Sequence, residues 1–302
     1  MLKHYDRRTT GFLLFWFVSL APFWTSIRAL ATLSTQDDRY SYVLLMPLIS
    51  LGLIALHKKS IFAESRYCPG WGIPLFLAGG ILYIVAKRLE SGLSVEMLAV
   101  ILVWIAGFLL FYGTKVVRSA AIPIFALLLT APLPQNLMHM AEVGLQYASA
   151  DVSHFVFKLI GIPVFRNGLV FALPGLNIEV AEQCSGIRST TALLITVAMA
   201  SHLFFRSNWS KLALIALTIP IAIFKNAVRI TTLSWLGVYV SPDVLEGPLH
   251  RMGGLPFTMV AIAILVPLLL LFRRLETGAS GRAGKSSSMP PGPAPRTENS
   301  GL

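Results

Sequence analysis

Charge is what this chain has least of. Of its 302 residues only 13% are Asp, Glu, Lys or Arg, while 55% are hydrophobic; a soluble domain carries about 25% charged residues. The scarcity excludes a single soluble globule, because one core could not bury that much apolar surface. Acidic groups are rarer still, 14 against 25 basic, giving a net charge of +11. No run resembles a nucleic-acid-binding module, so the basic excess reads as anchoring to the anionic face of a lipid bilayer and not as nucleic-acid binding. Cysteine is almost missing. The two present, Cys68 and Cys184, fall on opposite sides of the predicted membrane layout and cannot pair. There is no CxxC, no HExxH, and the six histidines are scattered, so neither a metal site nor a cofactor is expected.

Long apolar runs fill the space that charge leaves. Runs near the ~20 residues needed to cross a bilayer recur at 11–33, 40–56, 70–86, 93–113, 117–134, 187–205, 209–227 and 254–272. They predict an all-α polytopic membrane protein of about eight transmembrane helices over residues 1–272, with a small extracytoplasmic helix and a β-hairpin before the sixth span. Ala29-Leu30-Ala31 mimics a signal-peptidase site, but the run before it is long for a signal sequence and carries Pro22 and Arg28, so the first helix is expected to stay uncleaved. Residues 273–302, with Ser286-Ser287-Ser288 and Pro290-Pro291-Gly292-Pro293, hold too few apolar groups to order themselves and are expected to form a disordered cytoplasmic tail.

Basic residues in short loops resist translocation and so orient the bundle. With the N-terminus inside, Lys3, Arg7, Arg8, Lys58, Lys59, Arg66, Lys115, Arg118, Arg206, Lys211, Arg273 and Arg274 all fall on the cytoplasmic side. Both termini are then cytoplasmic, and the long 135–186 segment is extracytoplasmic. Within it, Leu137, Met140, Ala141, Leu145, Ala148, Val152, Phe155, Val156 and Leu159 recur at helical spacing, opposite His139, Glu142, Gln146, Ser153 and Lys158. This pattern predicts an amphipathic helix, either lying at the outer interface or half-inserted and lining a substrate groove. Leu169–Leu173, the Pro174-Gly175 turn and Asn177–Ala181 then read as a small hairpin whose second strand leads into Glu182-Gln183-Cys184-Ser185-Gly186-Ile187-Arg188-Ser189.

Cys184 is thereby predicted at the mouth of the sixth spanning helix, where unpaired N–H groups and the positive end of the helix dipole favour a thiolate, the nucleophilic form of cysteine. Its neighbours Glu182, Gln183, Ser185 and Arg188 give it an unusually polar setting for a membrane cysteine. Asn226 and Arg229, three residues apart at the predicted end of the seventh span, share one helix face. His250 lies in the glycine-rich stretch before the eighth span. Cys184, Arg229 and His250 therefore gather on one side of the membrane. They supply a nucleophile, a fixed positive donor for an oxyanion and a general acid/base, the parts that acyl transfer requires.

The block Cys184-Ser185-Gly186-Ile187-Arg188-Ser189, the Asn226-Ala227-Val228-Arg229 sequence, His250 before the last span and the eight-span layout resemble the exosortase/archaeosortase family of membrane cysteine transpeptidases. The resemblance covers roughly residues 11 to 272. It implies a plasma (inner) membrane enzyme of a prokaryote that cleaves C-terminal sorting signals of exported proteins and passes the new carboxyl end to an acceptor at the outer face. Such signals combine a short Pro-Glu-Pro-like motif, a transmembrane helix and a basic tail. By residue matching, Cys184 corresponds to the nucleophile, Arg229 to the transition-state stabiliser and His250 to the general acid/base, with Asn226, Glu182 and Arg188 in support. Two other readings compete: a transporter or flippase, which should show symmetric halves and broken midplane helices, and a scaffold for envelope polysaccharide export, which would not depend on the thiol. No such symmetry is visible, for the polar constellation sits in the C-terminal half near one surface.

Overall fold

The computed structural model describes residues 2–181, 185–241, 243 and 255–286. They form two compact units, 1–144 and 145–302. The first contains α1 (Leu2–Gln36), α2 (Leu45–Ile61), α3 (Pro69–Arg88), α4 (Leu93–Tyr112), α5 (Thr114–Ser119) and α6 (Ala121–Leu128). A long helix α7 (Gln135–Leu159) carries the boundary between the units. The second unit continues with β1 (Phe165–Asn167), β2 (Val170–Leu173), β3 (Leu176–Glu179), α8 (Ile187–Phe204), α9 (Asn208–Tyr239) and α10 (Leu255–Ser286).

Among the described residues seven helical segments are long and apolar enough to cross a membrane: Arg7–Gln36, Asp38–Ile61, Pro69–Arg88, Leu93–Tyr112, Ile187–Phe204, Asn208–Tyr239 and Pro256–Thr277. They coincide with seven of the eight runs read from the sequence. The remaining run, 117–134, is a helix broken in two. Pro123 has no N–H to give and its ring would strike the carbonyl four residues back, so α5 stops at Ser119 and α6 restarts beyond Ala120. The broken pair and the residues after it still pack along α2 and the turn before it. Val116 packs with Ile61 at one end, Ser50 Oγ donates to the Pro123 carbonyl at 2.8 Å, and Tyr40 Oη donates to the Leu133 carbonyl at 3.1 Å at the other.

Elsewhere in the first unit, α3 and α4 lie close because Gly72 and Gly79 face Leu110 and Val103, where an added Cβ would come within 2.9 Å. Several of its buried polar groups are paired across helices. Trp104 Nε1 donates to Ser19 Oγ at 3.0 Å, and Glu96 accepts from Ser26 Oγ at 2.6 Å and pairs with Lys87 at 2.7 Å.

The second unit is organised around the three-stranded antiparallel sheet β1-β2-β3. The predicted hairpin is present as β2–β3, with Leu173 opposite Leu176 across Pro174-Gly175, and Gly175 at φ +76° takes the left-handed conformation that the tight turn needs. A third strand, β1, adds to its edge. Phe171, Leu173 and Val180 pack against Ala150 and Phe157 of α7 and Ile230 of α9, so the sheet is seated on both helices.

Three differences from the sequence reading bear on the site. In α7 the polar residues Glu142, Gln146, Ser149 and Ser153 are buried, whereas Met140, Tyr147, Phe155 and Leu159 are exposed. The helix is amphipathic as expected, with the middle of its polar stripe turned into the protein and His139 and Lys158 near its ends exposed. In α9 the chain remains helical from Asn208 to Tyr239, so Asn226 and Arg229 lie inside a helix and not at its end. The run Leu233 to Tyr239 is again mostly apolar, with no proline to end the helix sooner. Finally, α10 continues to Ser286, into the stretch expected to lack order. Glu276 anchors it by accepting the backbone N–H groups of Arg206 and Ser207, at 3.1 and 3.0 Å, just ahead of α9.

Candidate active site

Helix α8 begins at Ile187, as the dipole argument for Cys184 requires. Ser185 and Gly186 lead into it. The Ser185 hydroxyl accepts the Ile187 N–H at 3.3 Å, capping one of the helix's unpaired donors. The Ser185 carbonyl accepts a hydrogen bond from Asn226 Nδ2 of α9 at 3.3 Å. Asn226 is only 1% exposed, and the same amide nitrogen donates to Ser149 Oγ of α7 at 3.0 Å. On the other side of the cysteine, the Val180 N–H donates to the Leu169 carbonyl at 2.9 Å, and the Val180 carbonyl accepts from Gln146 Nε2 of α7 at 3.0 Å. The segment 181–184 is therefore flanked by two carbonyls, each gripped by a buried amide side chain.

Gly186 makes the approach of Asn226 possible. Its φ of +74° is left-handed, and a Cβ there would stand 3.0 Å from Asn226 Oδ1. Gly186→Ala is expected to destabilise the protein by about 1–2 kcal/mol through the left-handed strain alone, and to push Asn226 off the Ser185 carbonyl. Thermal unfolding in detergent checks this, and an unchanged transition would show that the segment relaxes freely.

One residue before Asn226, Lys225 is 2% exposed, and its Nζ donates to Ser189 Oγ of α8 at 2.5 Å. Ser189 Oγ in turn donates to the Gly186 carbonyl at 3.0 Å. Neighbouring residues of α9 thus hold the entry to α8 by two routes. Arg229, half-buried, follows Asn226 by three residues and Lys225 by four, so it rises from the same face of α9 about one turn further on. Arg188, in the first turn of α8, is exposed.

Of the residues expected to form the site, Asn226 is brought to Ser185 at the mouth of α8, Arg229 follows it about one turn along α9, and Arg188 is exposed in the first turn of α8. Cys184, Glu182 and His250 lie outside the described residues. Lys225, Ser189, Gln146, Ser149 and Gly186 were missed by the sequence reading. For Lys225 a signal was available, since an ionisable residue directly after the apolar stretch Leu212–Phe224 is expensive and usually functional. The small polar residues of α7 carry no such mark.

The family model of transmembrane exosortases matches residues 33–267. The chain belongs to the transmembrane exosortase family. The match covers six of the eight apolar runs in full and most of the last, and takes in the cysteine block, Asn226, Arg229 and His250. Neither a curated protein nor a solved structure gives a match. Exosortase membership, with the seven apolar helices, makes this a multi-pass membrane protein with an exosortase-type function in protein sorting.

Proposed function

We propose that this exosortase is a membrane cysteine peptidase and transpeptidase that cleaves C-terminal sorting signals of exported, membrane-tethered proteins at the extracytoplasmic face. The Cys184 thiolate attacks the carbonyl carbon of the scissile peptide bond, and the guanidinium of Arg229 stabilises the oxyanion that forms. His250 gives a proton to the departing amine of the C-terminal fragment, and the new carboxyl end remains on Cys184 as a thioester. An acceptor nucleophile then attacks that thioester, His250 takes its proton, and Cys184 leaves as the thiolate, which restores the starting state. Asn226 supports the site through the backbone, Arg188 and Glu182 through charge at its margin.

The observation that carries this reading is the hydrogen bond from Asn226 to the Ser185 carbonyl. It fastens the residue covalently next to Cys184 onto the helix that bears Arg229, which is what a nucleophile and its oxyanion donor need in order to act on one carbonyl. A thioester predicts its own test. Hydroxylamine added to membranes containing the protein and a substrate carrying a sorting signal should release a product that ends in a hydroxamate. Release of the free acid alone, at an unchanged rate, would rule the intermediate out.

The sidedness follows from the basic loops. Reporter fusions after residue 60 and after residue 250 are expected to mark the cytoplasm and the exterior respectively, and the tail the cytoplasm. Two fusions reporting one side would break the eight-span layout.

A further inference from the structure

The buried polar face of α7 has no role in the chemistry so far. Gln146 is 4% exposed and Ser149 and Ser153 are fully buried, and placing such groups away from water costs free energy unless each is paired. Ser153 is satisfied mainly within the helix, its Oγ donating to the Ser149 carbonyl at 2.7 Å, with a long second contact to the Ala227 carbonyl of α9 at 3.5 Å. Gln146 and Ser149 do not turn back on their own helix. They reach out, Gln146 to the Val180 carbonyl and Ser149 to Asn226. The two are three residues apart, hence neighbours on one face, and their targets lie on either side of the cysteine in sequence.

We infer that Gln146 and Ser149 are positioning residues for the exosortase reaction, a two-point clamp by which α7 fixes the cysteine segment against α9. The inference rests on the reading of Cys184 as the nucleophile. Gln146 holds the strand side of the segment directly. Ser149 acts through another residue: its hydroxyl takes one N–H of the Asn226 amide and so fixes the plane in which that nitrogen addresses the Ser185 carbonyl. Asn226 belongs to the same turn of α9 as Lys225 and precedes Arg229 by three residues. A rotation of its amide would therefore loosen the cysteine segment from the helix carrying the oxyanion donor without disturbing Arg229 itself. Serine suits the position, because a larger side chain at a fully buried site would push α7 away from Asn226.

A thiol is ionised by the N-terminal donors of a helix only while it stays at the helix mouth. Loosening the clamp should move the pH dependence of the thiol as well as turnover, whereas a purely architectural role would change only the amount of folded protein. The test uses the full chain with Cys68→Ser, so that Cys184 is the sole thiol, reconstituted in lipid nanodiscs. Two quantities are read, the rate of iodoacetamide alkylation as a function of pH, and kcat and KM on a membrane-anchored fusion that the wild-type protein processes.

For Ser149→Ala and Gln146→Leu the expected result is a lower kcat by about ten- to a hundredfold, the cost of misplacing a reacting group by roughly 1 Å. KM should be little changed, and the alkylation midpoint should move toward that of a free thiol. In a double-mutant cycle read on alkylation, Ser149→Ala should add nothing to Asn226→Ala, because the serine works through the asparagine. An unchanged midpoint and kcat in both variants, or full additivity with Asn226→Ala, would overturn the clamp. Cys184→Ala is run beside them. Processing by that variant would remove the nucleophile reading, and with it the basis of the clamp, whereas an inactive Cys184→Ala together with wild-type behaviour of Ser149→Ala would remove the clamp alone.

Discussion

Cys184→Ala is expected to abolish processing of sorting-signal substrates while the protein inserts and accumulates as the wild type does. Cys184→Ser should be nearly as inactive. A serine hydroxyl lacks the low pKa that lets a helix-mouth cysteine exist as an anion, and it would need a strong base that the roles assigned here do not provide. The measurement is conversion of substrate in membranes, with the amount of inserted enzyme quantified in parallel. Full conversion by the alanine variant would remove the cysteine from the mechanism and return the polytopic fold to the scaffold or transporter reading.

The second large effect is expected at Arg229. An arginine that only anchors a helix needs a long stem and a positive charge, and lysine has both. An oxyanion stabiliser needs the planar, multi-donor guanidinium, whose geometry lysine does not reproduce. Loss of one such donor costs about 10²–10³-fold in rate in other oxyanion holes, so Arg229→Lys is expected to lower turnover by at least about tenfold with normal insertion. The course of α9 sharpens the contrast. Arg229 sits half-buried ten residues before Tyr239, about 15 Å of helix from its end, and it shares its face with two residues that hold the entry to α8. Near-wild-type turnover of the lysine variant would leave Cys184 and His250 in need of another donor, for which Lys225 and Asn226 are the nearest described candidates.

Where the sequence pattern was legible, the reason was length. Runs of about twenty apolar residues have one stable solution in lipid, and seven of the helices stand where those runs are. The eighth run failed as a single helix because hydropathy counts Pro123 as tolerable, while helix geometry does not. The end of α9 was misplaced for the opposite reason. Lys225, Asn226 and Arg229 look like the polar edge of a span, but Lys225 and Asn226 are interior groups whose burial is compensated by Ser189, Ser185 and Ser149.

Periodicity identified α7 and even its two faces, yet it carries no sign. The same stripe can face water or face protein, and only packing decides. The motif residues Asn226 and Arg229 stood out because their types are costly in a span. Gln146 and Ser149 did not, because a glutamine and a serine at helical spacing are common, and their partners lie 34 and 77 residues away along the chain.

The inverted face of α7 also bears on the order of events during synthesis. When α7 leaves the ribosome, the asparagine that pairs with Ser149 has not yet been made, since it comes 77 residues later, at roughly 5–20 residues per second. For those seconds Ser149 lacks its final partner. On the proposed reading of Cys184, the hold on the segment before α8 is completed only once α9 has been made, after most of the chain has left the ribosome.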